Sequence, residues 1–148
     1  MGLFDRVVGD EPSTVGLFVD GPNVLRSEFD IDLDDLRACA AEYGTVSQAR
    51  LYLDEHATPG LIQAGEAHGF AVVTTSGDVD VKLAVDATRA VAEDRIETLV
   101  IASRDTDFKP VLEVAAEHGS QTVAVAPGEH GRSAALATTA HESHTLDG

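Results

Sequence analysis

The sequence predicts an α/β fold, in which helices cover both faces of a doubly wound parallel sheet of about five strands. Two observations predict it. Short β-rich apolar segments alternate strictly with amphipathic helical segments, and a length of 148 residues suits one domain. Right-handed crossovers then favour the strand order 3-2-1-4-5, with the first and fourth strands adjacent at the switch point. We expect a flexible lead-in over residues 1–13 and a single domain over residues 14–148.

The strands are predicted from short apolar segments bounded by turn residues. The first, Val15 to Val19, is apolar apart from Gly16 and reads as a buried strand, whereas the second alternates at Ala49, Leu51 and Leu53. The five predicted strands cover residues 15–19, 46–53, 70–74, 98–102 and 122–126.

The helices are predicted from apolar residues at helical spacing and from their end signals. The first ends at Gly44, and the second begins at Thr58-Pro59 and ends at Gly69. The five predicted helices cover residues 33–43, 61–68, 81–91, 108–118 and 133–140. For the third helix, we expect one apolar face made by Val81, Ala84, Val85, Thr88 and Val91. Beyond residue 140 we expect only a tail, which carries His141 and His144.

The charge balance is strongly acidic, with ten Lys and Arg residues against 26 Asp and Glu residues and a formal net charge of −16. The acids are spread along the whole chain, and Lys82 and Lys109 are its lysines. We interpret this as adaptation to high salt rather than as a docking surface for a basic partner. At about 1 M salt the Debye length falls to about 3 Å, which screens the repulsion of a polyanion such as RNA.

The sequence also predicts a soluble, cytoplasmic protein. Its single cysteine, Cys39, excludes an internal disulfide and suits a reducing compartment. Its apolar segments are far shorter than the roughly 20 residues that a membrane-spanning helix requires, and no signal peptide is recognisable.

Aspartates follow the predicted strands at the points where the strands end. Asp20 follows the first strand, Asp78 and Asp80 follow the third, and Asp105 and Asp107 follow the fourth. The carboxyl ends of parallel strands meet at one edge of the sheet, so we expect these side chains to converge. Taken singly, Asp80 and Asp107 also suit helix N-caps, and Asp20 suits an Asx turn.

Converging carboxylates require compensation. Two of them about 5 Å apart repel by about 3 kcal/mol at an effective dielectric constant of about 20. A cation or a proton relieves that cost. Ligand sets made only of oxygen favour Mg²⁺ or Mn²⁺ over zinc or copper. The cluster therefore predicts a divalent-metal site.

Three motifs resemble those of the NYN domain family, within the PIN-like nuclease superfamily. Val19-Asp20-Gly21-Pro22-Asn23-Val24 resembles its opening Asp-Gly-x-Asn motif. The segment from Gly77 to Asp86, GDVDVKLAVD, is similar to its second motif, and Ser103-Arg104-Asp105-Thr106-Asp107-Phe108 to its third. The resemblance extends over residues 15–126, with the motifs in the family's order. It implies a Rossmann-like, PIN-like fold and metal-dependent hydrolysis of RNA.

The resemblance also implies roles for particular residues. Asp20, Asp80 and Asp105 would hold one or two Mg²⁺ or Mn²⁺ ions, assisted by Asp107. Asn23 and Ser103 would orient water or bind phosphate oxygens, and Arg104 would contact the RNA backbone. The chain departs from the family pattern by lacking a lysine directly before the second motif and by having Ala140-His141 where relatives often have Ala-Asp. Whether Asp78 or Asp86 joins the site, and whether the chain forms a homo-oligomer, is left open.

Two other functions fit parts of the sequence. The scarcity of basic residues and the missing lysine favour a regulatory domain that binds nucleic acid or protein without cutting it. An aspartate after the first strand also suits an α/β phosphatase, although Pro22 occupies the place of the second aspartate in the haloacid-dehalogenase pattern.

Overall fold

A parallel six-stranded sheet organises the molecule. The computed structural model describes residues 13–25, 32–127 and 139–146. In this part of the chain the strands are β1 (Thr14–Asp20), β2 (Thr45–Asp54), β3 (Ala71–Thr75), β4 (Thr98–Ala102), β5 (Gln121–Pro127) and β6 (Glu142–Leu146). They lie in the order β3-β2-β1-β4-β5-β6, and all neighbouring pairs are parallel. The predicted fold class and the order of the first five strands are confirmed.

The sixth strand corrects the prediction of a terminal tail. β6 extends the sheet beyond β5, with Val123 beside Glu142 and Pro127 beside Leu146. Its sequence, Glu-Ser-His-Thr-Leu, lacks the apolar run by which the other strands were recognised. Among the described strands β6 is the last of the sheet, with β5 as its one neighbour, and its residues remain half-buried or exposed, so it needs no such run.

The helices are α1 (Gly21–Val24), α2 (Leu33–Ala41), α3 (Pro59–Ala67), α4 (Val79–Ala92) and α5 (Lys109–Glu117), with a 3₁₀ turn at Thr106–Phe108. Four predicted helices are confirmed, whereas the short α1 was not predicted. The predicted helix at 133–140 lies outside the described residues except for Thr139 and Ala140, and so does the lead-in at 1–13 except for Ser13. No helix in the described ranges is long and apolar enough to cross a bilayer.

Two apolar clusters hold helices on opposite faces of the sheet. Along β1, Leu17 and Val19 belong to the cluster that contains α2, whereas Phe18 belongs to the cluster that contains α4 and α5. All three side chains have no exposed surface. Burial of successive residues on both faces explains why this strand reads as one continuous apolar segment.

The buried face of α4 differs from the predicted one. Val81 and Val85 are 56% and 48% exposed, so the face predicted from them is wrong. Leu83, Ala87 and Ala90 are buried instead, at positions i, i+4 and i+7. Asp86 lies on this side of the helix and is also buried. A charged residue within the buried stripe is the physical reason why the sequence pattern favoured the wrong face.

The register of the central strands sets the geometry of the sheet's carboxyl edge. Asp20 lies beside Tyr52 of β2, and Val19 lies beside Ala102, the last residue of β4. Gly21 then turns the chain into α1 in close contact with β2, since a Cβ atom there would approach the carbonyl oxygen of Tyr52 to 2.5 Å. Only glycine permits this approach.

Candidate metal centre

Asp20 ends β1 in a nearly closed environment. It is 5% exposed, and the Ser103 hydroxyl donates a hydrogen bond of 3.1 Å to its Oδ2 atom. Burial raises its pKa to about 6, against the lowering effect of the hydrogen bonds from Ser103 and from the Asn23 backbone. The charges of Asp105 and Asp80 raise this pKa further. Asp20 is therefore within electrostatic reach of Asp80 and Asp105, two of the other predicted ligands.

Ser103 and Asn23 connect the loops that follow β1 and β4. The Ser103 hydroxyl, 1% exposed, also accepts a hydrogen bond of 3.0 Å from the backbone N–H of Asp105. Asn23 Oδ1 accepts one of 2.9 Å from the backbone N–H of Arg104, whose side chain is half-buried. Both residues thus hold the backbone that carries the aspartates. Their predicted contacts with water or phosphate, and the contact of Arg104 with RNA, stay predictions.

Asp80, Asp105 and Asp107 form a cluster of carboxylates, with one oxygen from each lying within 4.8 Å of the others. Asp80 lies in the first turn of α4, whose N-cap is Asp78. Asp105 is the N-cap of the 3₁₀ turn, and its Oδ1 accepts a hydrogen bond of 2.9 Å from the backbone N–H of Asp107. The alternative that Asp80 and Asp107 are N-caps is therefore wrong.

The electrostatics of this cluster favour a cation. The negative charge of Asp105 is the largest cause of a raised pKa at Asp107, followed by burial and by the charge and hydrogen bond of Asp80. A positive ion beside Asp107 would favour its ionised form and offset the repulsion from the neighbouring carboxylates. The donor set is made of hard carboxylate oxygens, which suits Mg²⁺ or Mn²⁺.

One pocket of about 400 Å³ joins Asp20 to this cluster. We name it the acidic pocket, because five aspartates line it: Asp20, Asp54, Asp78, Asp80 and Asp105. The lining residues also include Pro22 and Asn23. Asp78, which the sequence left open, is thus part of its wall. Asp54 was missed, although it directly follows the second predicted strand and the rule applied to the other strand ends would have found it.

Asp86 lies apart from the acidic pocket, in a network of its own. The Tyr52 hydroxyl donates a hydrogen bond of 2.8 Å to its Oδ2, and Arg50 Nη1 lies 3.4 Å from the same oxygen. Lys82 Nζ lies 3.1 Å from its Oδ1. We name Asp86, Tyr52, Arg50 and Lys82 the Asp86 network. These contacts commit both oxygens of Asp86 to protein donors.

Comparisons with known proteins agree with this fold. The family model described as the NYN domain matches residues 14–147. An uncharacterized protein of Methanocaldococcus jannaschii is 42% identical over 122 residues, which are 82% of this chain and 50% of that protein. The chain thus spans about half the length of this relative. A crystal structure of a protein of unknown function from Vibrio parahaemolyticus matches with a TM-score of 0.79 and 19% identity, covering 93% of this chain and 95% of the other.

Proposed function

The chain belongs to the NYN domain family, which has a PIN-like nuclease fold, and on that premise we propose that it is a metal-dependent ribonuclease that hydrolyses RNA phosphodiester bonds. The observation that carries the proposal is the convergence of Asp80, Asp105 and Asp107, whose oxygens lie within 4.8 Å of one another beside the buried Asp20. Three of these four aspartates line one open pocket of sufficient volume for a phosphate group.

We assign Mg²⁺ or Mn²⁺ to Asp20, Asp80 and Asp105, with Asp107 assisting. The fit rests on the donors: all are carboxylates, and the charges of Asp105 and Asp80 raise the pKa of both Asp20 and Asp107. A bound ion would supply a water of lowered pKa and neutralise charge that develops on the phosphate.

The chain's own groups hold this arrangement together. The Ser103 hydroxyl binds Asp20 on one side and the Asp105 backbone on the other, which fixes the separation of these aspartates. The Asn23 side chain holds the Arg104 backbone, and so keeps the loop after β4 beside α1. We propose that the Arg104 side chain then contacts the RNA backbone. Preorganisation of this kind lowers the reorganisation needed when substrate binds.

The net charge of −16 sets the conditions under which we expect RNA to bind. At low salt the acidic protein would repel a polyanion, so we expect binding and cleavage in high-salt buffer, where the repulsion is screened. The free, buried thiol of Cys39 fits the reducing cytoplasm that we propose as the location.

The test is RNA cleavage in high-salt buffer with Mg²⁺ or Mn²⁺. We expect the wild type to cleave, EDTA to stop it, and Asp20→Asn and Asp105→Asn each to lose about 1000-fold in kcat/KM while they remain folded. Asp35→Asn is the matched control, because it makes the same chemical change at an exposed position of α2. The measurement is the initial rate of cleavage of a labelled RNA.

Each other outcome assigns a different function. Cleavage by Asp20→Asn and Asp105→Asn at the wild-type rate would refute the nuclease proposal. Binding of RNA with no cleavage in any divalent metal or salt condition would identify a regulatory binding domain. Hydrolysis of a small phosphomonoester without RNA cleavage would identify a phosphatase.

A further inference from the structure

A second, smaller pocket adjoins the acidic pocket. It lies between α1, the end of β2 and the start of α3, and its volume is about 170 Å³. Pro22 and Asp54 line both pockets, so the two share a wall. We name it the apolar pocket after the apolar side chains among its lining residues, which are Leu25, Leu53, Ala57 and Leu61.

The lining of the apolar pocket is chemically unlike that of its neighbour. Leu25, Ala57 and Leu61 pack on the hydrophobic core yet are only partly buried, so each leaves apolar surface open to the pocket. His56 and Thr58 are exposed and add polar groups to the lining. An apolar floor with a few polar groups is the usual character of a small-molecule site.

From this juxtaposition we infer that the apolar pocket binds a nucleobase of the RNA next to the phosphate held in the acidic pocket. The inference rests on the proposed function, because a phosphate in the acidic pocket is what brings a base to the shared wall. Apolar cavities of about 150 Å³ accept a benzene ring, so about 170 Å³ admits one base ring. The imidazole of His56 and the ring of Pro22 offer faces for the base to contact.

Asp54 gives the shared wall a polar group in a fixed position. Its Oδ1 accepts a hydrogen bond of 2.9 Å from the backbone N–H of His56, which closes an Asx turn and orients the carboxylate. Thr58 accepts the N–H of Leu61 at 3.2 Å and begins α3, which fixes the opposite wall. A carboxylate so placed can accept a hydrogen bond from an N–H group of a base.

The test compares uridine 5′-monophosphate with ribose 5-phosphate, two probes that carry the same phosphate and differ in the base. Both are titrated into the full chain in high-salt Mg²⁺ buffer and followed by backbone amide NMR. We expect uridine 5′-monophosphate to bind about tenfold more tightly and to shift the amides of Ala57 and Leu61. Ribose 5-phosphate should shift only amides of the acidic pocket.

Two variants and one control assign the difference to the apolar pocket. Ala57→Trp fills the pocket and should reduce the tenfold ratio to about one. Ala67→Trp makes the same change at an exposed position near the end of α3, and should keep the ratio. Leu61→Ala, which removes apolar contact without filling space, should lower the ratio several-fold. Equal affinity of the two probes for the wild type, or an unchanged ratio in Ala57→Trp, would overturn the inference.

Cleavage of an oligouridine, measured on the same samples, separates this inference from the proposed function. Cleavage together with equal affinity for the two probes would refute the base site and leave the nuclease standing. Tighter binding of uridine 5′-monophosphate without any cleavage would refute the nuclease and retain a base-binding site.

Discussion

Helix α4 carries two aspartates, six positions apart, whose surroundings are opposite in character. Asp86 is 8% exposed and receives the Tyr52 hydroxyl at 2.8 Å and the Lys82 ammonium at 3.1 Å, with Arg50 nearby. Asp80, in the first turn of the same helix, lies among the carboxylates of Asp105 and Asp107. The fold therefore surrounds the Asp86 carboxylate with hydrogen-bond donors and cations, whereas it places the Asp80 carboxylate beside two other carboxylates.

The comparison teaches that partners, rather than burial, separate a structural carboxylate from a candidate ligand. Asp20 is 5% exposed, which makes it as buried as Asp86. Its side-chain partners are one hydroxyl and one backbone N–H, and its pKa is raised to about 6. Both oxygens of Asp86 have donors from the protein. A bound cation would stabilise the ionised carboxylate of Asp20. The carboxylate of Asp86 is already stabilised by donors from the protein.

The largest expected difference between the two regions is in catalysis. Asp80→Asn should lower kcat/KM for RNA by about 1000-fold, equivalent to about 4 kcal/mol of transition-state stabilisation. Its stability should change by no more than about 0.5 kcal/mol, since the lost interaction with the helix dipole is offset by relief of repulsion from Asp105. Initial cleavage rates and urea unfolding measure the two effects.

The matched variant for this prediction is Asp86→Asn on the same helix. At temperatures where the variant is folded, its rate of RNA cleavage should stay within about tenfold of the wild-type rate, because Asp86 does not line the acidic pocket. A larger loss of activity in Asp86→Asn than in Asp80→Asn would break the distinction between the two regions.

The second largest expected effect is a pH dependence of the free energy of unfolding, caused by Asp20. Its pKa in the folded protein, about 6, exceeds its ordinary value of 3.8, so the folded state binds the proton more tightly. This contribution is fully present below pH 3.8 and is lost as the pH rises through 6. The total change is about 3 kcal/mol. Urea unfolding in EDTA should therefore show the wild type losing that much stability relative to Asp20→Asn between about pH 3.5 and pH 7.

A bound divalent metal should reverse this loss of stability at high pH. Mg²⁺ or Mn²⁺ binds the ionised carboxylates, so the metal should stabilise the wild type above pH 6 and have little effect below pH 4. If the stability of the wild type and of Asp20→Asn changed in parallel with pH, Asp20 would have an ordinary pKa and an environment like that of a surface aspartate.

The acidic pocket was largely predictable because its residues follow from topology. In a parallel sheet the first few residues after a strand lie at the carboxyl edge, so the ends of the first and fourth predicted strands located Asp20 and Asp105 without any side-chain detail. The same rule locates Asp54 after the second strand. Ser103 was predicted as a contact for water or phosphate, and its place between Asp20 and Asp105 became evident only from the hydroxyl's hydrogen bonds.

The Asp86 network was not predictable, for a reason that also explains the wrong face of α4. A helical pattern assigns charged residues to solvent, and Asp86 interrupts the stripe made by Leu83, Ala87 and Ala90. Its compensation comes partly from Arg50 and Tyr52 on β2, more than thirty positions away in the chain. Local patterns carry no information about such a partner.

The smallest effects test whether the Asp86 network acts as a unit. Asp86→Ala should lower the free energy of unfolding by about 2 kcal/mol, chiefly because the buried Tyr52 hydroxyl loses its acceptor. Arg50 and Lys82 add little, since their side chains are 33% and 45% exposed and regain water. Tyr52→Phe removes only the hydroxyl and should cost about 1 kcal/mol.

The double variant decides between a network and two separate contacts. If the Tyr52 hydroxyl and the Asp86 carboxylate stabilise the fold through each other, the double variant should cost at least about 0.5 kcal/mol less than the sum of the single changes. The measurement is urea unfolding in EDTA at pH 7. Full additivity would mean that the hydrogen bond of 2.8 Å carries no coupling, and that Asp86 is held by its cations alone. Asp86 would then differ from Asp80 only in having the cations of Lys82 and Arg50 beside its carboxylate.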